Sequence, residues 1–300
     1  MNVLLCGDLG TSEWARWQRA LAAAMPEACW LDLAAARATP TAVQAAVVAN
    51  PPPGSLQGLP ALRLIQSLWA GVDRLLADPT LPAHVPIARM VDPAMNQAMA
   101  ETALWAVLSL HRGFFAYAAR QRRGEWRVHG QRRADEVRVL VLGQGQMGRA
   151  AAARIAQQGY ALSTWRRDGA ALPPLLAQAD IVLNLLPLTD QTRGLLDAGF
   201  FAALPRHAGV VNLGRGAYVV DADLLAALDS GHLRHAVLDV FQIEPLPAGH
   251  PYWQHPQVTM LPHAAAATDE RSAAAVVAAN LRALRDGGVV QHRVESVRGY

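Results

Sequence analysis

The sequence predicts an α/β protein made of two doubly wound parallel-sheet domains, and three observations carry that expectation. Short apolar runs alternate with helix-like segments from Asn2 onward, and a glycine-rich turn joins a strand to a helix at residues 143–148. Two long apolar helices, Asn96–Arg120 and Asp269–Arg285, stand where the chain would cross from one domain to the other and back. Three hundred residues suffice for two domains, and 52% hydrophobic against 17% charged residues is enough apolar content for well-buried cores.

In order along the chain, Asn2–Cys6 reads as a strand, Ser12–Ala24 as a helix and Val43–Val48 as a strand or a short helix. Leu62–Leu68 and Ile87–Val91 are further strands, and Asn50-Pro51-Pro52-Pro53-Gly54 is a rigid loop. After the helix from Asn96, strands are expected at Val137–Leu142, Ala161–Trp165, Val210–Leu213, Ala236–Phe241 and Val258–Leu261, with a helix at Arg149–Gln158. The first domain is therefore expected to be discontinuous, residues 1–98 plus 269–300, around an inserted domain of residues 99–268.

The chemistry begins at Gly143-Gln144-Gly145-Gln146-Met147-Gly148. Between a strand and a helix, the first glycine permits a tight turn, the second lets backbone approach a pyrophosphate, and the third packs helix on strand. The diphosphate of a dinucleotide then rests on a helix N-terminus. In Val210-Val211-Asn212-Leu213-Gly214-Arg215-Gly216 a second apolar strand stops in a glycine-flanked arginine, whose planar guanidinium can clamp a carboxylate or carbonyl oxygen in a two-pronged way that lysine cannot imitate. Glu244 and His263 follow two further strands. A carboxylate against an imidazole fixes its tautomer and raises its pKa, which makes the histidine a proton donor near neutral pH.

With these residues in place, the chain resembles the D-2-hydroxyacid dehydrogenases. The segments that carry the resemblance are Val139–Gly148, Asn184-Leu185-Leu186-Pro187-Leu188-Thr189, Asn212–Gly216, Leu238–Phe241 with Glu244-Pro245-Leu246-Pro247, and Leu261–Ala265. The overall length and the closing Val297-Arg298-Gly299-Tyr300 are most similar to the glyoxylate and hydroxypyruvate reductase branch. The resemblance implies two Rossmann/flavodoxin-like domains with an active-site cleft between them, and Arg215, Glu244 and His263 as the catalytic set. It also implies that Gly143, Gly145, Gln146, Met147, Gly148, Leu186 and Pro187 contact the cofactor, and that Asp239 holds the nicotinamide carboxamide. In this family the turn Ser67-Leu68-Trp69-Ala70-Gly71-Val72-Asp73 receives the substrate carboxylate on backbone amides. That makes Ala70 and Gly71 substrate-binding residues, with Trp69, where many members carry glycine, narrowing the pocket. Glu244 sets the chain apart from formate dehydrogenases, relatives that pair their histidine with glutamine.

Cofactor choice rests on the residues after Ala161–Trp165. NAD enzymes generally place a carboxylate at that strand end for the ribose 2′-hydroxyl, whereas Arg166 and Arg167 match a 2′-phosphate. NADPH is the expected cofactor. Asp168, about 20 residues beyond the glycine loop, keeps NADH open as the alternative.

Composition removes other classes. All 27 basic residues are arginine, so no P-loop lysine, Schiff-base lysine or Tyr-Lys pair is available. Cys6 and Cys29 form no CxxC, which leaves no disulfide framework or thiolate metal site and suits a reduced, cytoplasmic setting. His250, His255 and His263 match no ligand spacing, so no metal is expected. The N-terminus reads as a strand and not as a signal peptide, and no run approaches the roughly 18 apolar residues of a membrane span. Arg120, Arg122, Arg123, Arg127, Arg132 and Arg133 crowd one stretch, but the net charge is only +3 and no nucleic-acid motif accompanies them, so a solvated connector or subunit interface is the expectation. The partners expected are a small 2-oxo acid, NADP and a second copy of the chain in a homodimer, without nucleic acid or membrane. The function expected is reduction of a short 2-oxo acid to its D-2-hydroxy acid. A nicotinamide-sensing binding protein of the same fold is the alternative.

Overall fold

The computed structural model describes residues 1–294, so the closing 297–300 motif lies outside the described residues. The chain divides into two compact units: Met1–Met95 with the chain from Thr268 onward, and Asn96–Ala267.

The first unit contains β1 (Asn2–Gly7), α1 (Thr11–Ala24), β2 (Cys29–Leu31), α2 (Leu33–Ala38), β3 (Val43–Ala49), β4 (Ile65–Ser67), α3 (Asp73–Leu76) and β5 (Ile87–Ala88). Its strands form a parallel sheet in the order β2-β1-β3-β4-β5. Parallel strands are covered on both faces, which is why β3 reads Val-Gln-Ala-Ala-Val-Val-Ala without a polar alternation. The same run left strand and short helix undecided in the sequence, and pairing with β1 and β4 makes it a strand. Two strands are shorter than expected: only Ile65–Ser67 of 62–68 and Ile87–Ala88 of 87–91 are paired. Leu62 and Leu64 are nonetheless buried, so the apolar run extends beyond the ladder.

The helix α4 (Pro93–Arg112) leads into the second unit, which continues with α5 (Phe114–Arg122), β6 (Arg138–Leu142), α6 (Gln146–Ala156), β7 (Ala161–Trp165), α7 (Pro173–Leu176), β8 (Ile181–Asn184), α8 (Ala198–Ala202), β9 (Ala208–Asn212), α9 (Asp221–Asp229), β10 (Leu233–Leu238) and β11 (Val258–Met260). The single helix expected over 96–120 is two helices. Gly113 breaks it with φ +70°, a left-handed conformation that a side chain would resist.

The second sheet is also parallel, in the order β11-β10-β9-β8-β6-β7. Its residues alternate between two cores with the period of a strand. Leu140, Leu142, Val182, Val210 and Leu238 enter one, and Val139, Val141, Ile181, Leu183, Val211 and Val237 the other. Closing the first unit, α10 (Glu270–Asp286) starts at Asp269, whose carboxylate accepts from the Arg271 amide at 2.8 Å. Buried Asn280 on this helix donates to Gln66 at 2.7 Å, and losing the Asn280 amide would leave the buried Gln66 oxygen unmet at a cost of about 1–3 kcal/mol.

Candidate active site

Because all six strands of the second sheet run the same way, the segments that follow them emerge at one edge, where open α/β sheets bind ligands. The glycine loop follows β6, Arg166 and Arg167 follow β7, Leu186-Pro187 follows β8, Arg215 follows β9, Asp239 and Glu244 follow β10, and His263 follows β11. Trp69, Ala70 and Gly71 are in the first unit, on the turn after β4.

In the glycine loop, Gly143 has φ +104° and its amide donates to the Trp165 carbonyl at 2.8 Å. A Cβ there would lie 2.5 Å from the Leu185 oxygen, and one at Gly148 would lie 2.0 Å from the Gly143 oxygen. Both positions are closed to any side chain. Gly145 differs, since it caps α6 in extended conformation and a Cβ there would meet nothing within 4 Å. Open space at a helix N-terminus without a side-chain cap suits a diphosphate, which the first-turn amides and the helix dipole would hold. Two substitutions separate these roles. Gly148→Ala should lower the melting temperature, whereas Gly145→Val should leave it unchanged and weaken dinucleotide binding in a fluorescence titration. Equal thermal losses would contradict the distinction.

A buried amide pair shapes the next two loops. Asn184, ending β8, donates through Nδ2 to Oδ1 of Asn212, ending β9, at 3.0 Å. Asn184 Oδ1 accepts from the Leu186 amide at 3.3 Å. Asn212 accepts from the Gly214 amide at 3.2 Å and donates to the Arg215 carbonyl at 2.9 Å. One pair thus sets both the Leu186-Pro187 turn and the loop carrying Arg215. Gly216 brings that loop flush against its neighbour, since a Cβ there would fall 1.8 Å from the Phe241 carbonyl carbon.

The histidine is held from behind. Buried Asp239 accepts the amides of Ala264 and Ala265 on one oxygen, at 2.7 and 3.1 Å, and its backbone carbonyl accepts from the His263 amide at 2.8 Å. Burial pushes the Asp239 carboxyl upward, against those amides and the His263 charge. His263, at φ +54°, turns its ring toward Glu244, with Nδ1 and Oε2 2.7 Å apart. The other Glu244 oxygen accepts from the Phe241 amide at 2.9 Å. The hydrogen bond to Glu244 raises the His263 pKa, outweighing burial and the Arg215 charge. Burial pushes Glu244 upward, but the His263 and Phe241 hydrogen bonds and the charges of His263 and Arg215 together bring it down. Arg215 is therefore close enough to act on both groups. About half of the His263 side chain is exposed, which leaves the ring accessible. A carboxylate-held imidazole beside a guanidinium, on the edge that carries a dinucleotide loop, can donate a proton to an oxygen that gains charge when a carbonyl is reduced.

After β7, exposed Arg166 pairs with Asp168 at 3.1 Å, and Trp165 donates to the Ala170 carbonyl at 2.7 Å, closing the 166–170 turn. In the first unit, the Trp69 amide donates to Ser67 Oγ at 3.0 Å and its carbonyl accepts from Met90 at 3.0 Å. Among the described residues no hydrogen bond uses the amides of Ala70 and Gly71. His250 and His255 lie against Asp221 and Asp229, at 3.4 and 3.2 Å. Among the described residues no group of three His, Cys, Asp or Glu side chains could hold a metal ion, and no helix is long and apolar enough to cross a membrane.

The family model described as "D-isomer specific 2-hydroxyacid dehydrogenase, NAD binding domain" matches residues 104–265. The chain belongs to this dehydrogenase family. Among relatives of the dehydrogenase, glyoxylate/hydroxypyruvate reductase A of Yersinia enterocolitica is 36% identical over 272 residues, covering 85% of this chain and 87% of the relative. The Salmonella paratyphi B protein of that name is 36% identical and aligned over the whole of both chains. A crystal structure of a D-isomer specific 2-hydroxyacid dehydrogenase from Xanthobacter autotrophicus Py2, in complex with NADPH and MES, is similar to the dehydrogenase at a TM-score of 0.92 and 38% identity, covering 100% of this chain and 99% of that one. An NADPH-dependent glyoxylate/hydroxypyruvate reductase from Sinorhizobium meliloti, in complex with NADP and sulfate, gives 0.92 at 33% identity with the same coverage. The dehydrogenase is thus an enzyme of the glyoxylate/hydroxypyruvate reductase branch, and its second unit contains the family's NAD-binding domain.

Proposed function

We propose that this enzyme reduces a short 2-oxo acid, with glyoxylate and hydroxypyruvate as the leading substrates, to the D-2-hydroxy acid with hydride from NADPH. The observation that carries the reading is the 2.7 Å contact between His263 and Glu244 on the edge that also carries the glycine loop. The substrates are supported by the names of the relatives.

Bound over Gly143–Gly148, the reduced nicotinamide would supply hydride to the substrate C2. Asp239 would position its carboxamide, and Gln146, Met147, Leu186 and Pro187 would line its seat. Arg215 would orient the substrate and draw charge onto the carbonyl oxygen, and His263 would deliver the proton to the alkoxide while Glu244 holds the ring. The first unit is proposed to bind substrate, with the Ala70 and Gly71 amides taking the carboxylate and Trp69 limiting the size of the side chain.

The proton donor is tested by pH. A histidine with a raised pKa is protonated below that value and loses its proton as pH rises through it, so kcat/KM for reduction should be high at low pH and fall through the His263 pKa. Glu244→Gln removes the largest contribution to the upward shift and should move this falling limb to lower pH. A limb unmoved by Glu244→Gln would count against His263 as the donor.

NADPH over NADH is supported by Arg166 and Arg167 at the end of β7 and by the NADPH and NADP named for the similar structures. Arg166→Asp should shift the ratio of kcat/KM values toward NADH, and unaltered selectivity would make the arginines bystanders. Assembly as a homodimer belongs to the same reading, supported by the fully exposed Trp126 and by Val128 on the segment before β6.

A further inference from the structure

The parallel sheet of the second unit has a second edge, formed by the N-terminal ends of its strands, and the hydride chemistry uses none of it. Arg132 and Val137 precede β6, Asp180 precedes β8, Arg206 and His207 precede β9, and Arg234 lies at the start of β10. These residues, with His111 at the C-terminal end of α4, line a cavity of about 190 Å³.

Three arginines face a single carboxylate there, and that carboxylate is already engaged. Asp180 receives Arg132 in a two-pronged contact at 2.6 and 3.2 Å, and also the Arg138 amide at 2.8 Å. The second basic group is left over: Nε of Arg234 is buried and has no hydrogen-bond partner among the described residues. Burial lowers the Arg234 pKa and the nearby Arg132 charge adds to this, against the Asp180 carboxylate that the two arginines share. A buried donor on a cation is costly when unmet, so the group calls for an acceptor from outside the chain. Arg206 and His207 are exposed, which places them at the mouth. His111 Nε2 donates to the Arg132 carbonyl at 2.9 Å and its Nδ1 lies 2.8 Å from the Tyr160 hydroxyl, which fixes the wall carrying Arg132.

We infer that this cavity is a binding site for a phosphate-type oxyanion, held by Arg234 and Arg206 at the edge of the sheet opposite the glycine loop. Volume sets the size of the guest. Pockets for drug-sized ligands run from about 300 Å³ upward, so this one suits a phosphoryl group and not a nucleotide. Guanidinium forks match tetrahedral oxyanions better than ammonium groups do, and every cation here is an arginine or a histidine. The ion can be free phosphate or the phosphoryl end of a small metabolite, since both present the same oxygens.

Calorimetry tests the site. Protein saturated with NADP, so that the glycine loop and Arg166 are occupied, is titrated with inorganic phosphate and, in a parallel arm, with glycerol 1-phosphate. Saturable binding is expected, weakened about tenfold in Arg234→Met and in Arg206→Ala, with turnover in phosphate-free buffer unchanged in both variants. Arg206→Ala alters an exposed side chain, so folding is not at issue there. Tighter binding of the inorganic ion supports free phosphate as the ligand, and tighter binding of the ester supports a phosphorylated metabolite. Absence of binding in both arms, binding indifferent to both variants, or binding abolished by Arg215→Ala would overturn the proposal. Arg234 and Arg206 lie outside the hydride-transfer site, so a failed reductase assay would leave this result interpretable.

Discussion

His263→Ala is expected to lower the rate of 2-oxo acid reduction by about 10²–10⁴-fold, the usual contribution of a positioned proton donor. The turn should survive the change, because Asp239 holds it through the backbone of residues 263–265 and not through the ring. The ring contributes one hydrogen bond, to Glu244, and its side chain is half exposed, so its removal leaves no cavity in the core. NADPH binding, measured by fluorescence, should match that of the unaltered protein, because the glycine loop is held by β6, α6 and the end of β7 and not by the His263 ring. An unchanged turnover number would remove His263 from the mechanism.

Arg215→Ala should cost about 10²–10³-fold in kcat, the range for losing one preorganised group that stabilises developing charge, and should raise KM as well. Lysine should restore little of either, since the two-pronged geometry is lost with the guanidinium. A second signature separates this role from a structural one. Arg215 depresses the His263 pKa, so its removal should push the falling limb of the pH profile upward. Glu244→Gln moves the same limb downward, and opposite displacements from two neighbours would locate the titrating group between them. A variant with normal kcat and KM would overturn the assignment of Arg215.

Much of this site was legible in the sequence because each piece is local. A glycine loop, an arginine after an apolar strand and a histidine after a proline are contiguous strings, and parallel strands carry such strings to a common edge. What escaped reading depends on pairing between distant segments. The Asn184–Asn212 contact joins residues that both end apolar strands, Ile-Val-Leu-Asn and Val-Val-Asn, and that shared position was the available signal. The arginine cavity has no such string, because its lining comes from the approaches to four strands, the end of a helix and the segment at His129 and Gly130. The break at Gly113 was hidden by the apolar helical pattern on both sides, since a lone glycine within such a pattern does not announce a left-handed residue. Ile65–Ser67 pairs with Ala46–Val48 on one side, and on the other β5 offers only Ile87 and Ala88.

The measurement that bears most directly on the account is the consumption of NADPH, with NADH in parallel, by the purified protein against a panel of 2-oxo acids led by glyoxylate and hydroxypyruvate. The account predicts turnover that favours NADPH, with a preference for short side chains in keeping with Trp69. Tight NADPH binding with no turnover on any 2-oxo acid would contradict it and point to a protein that senses the nicotinamide cofactor without using it.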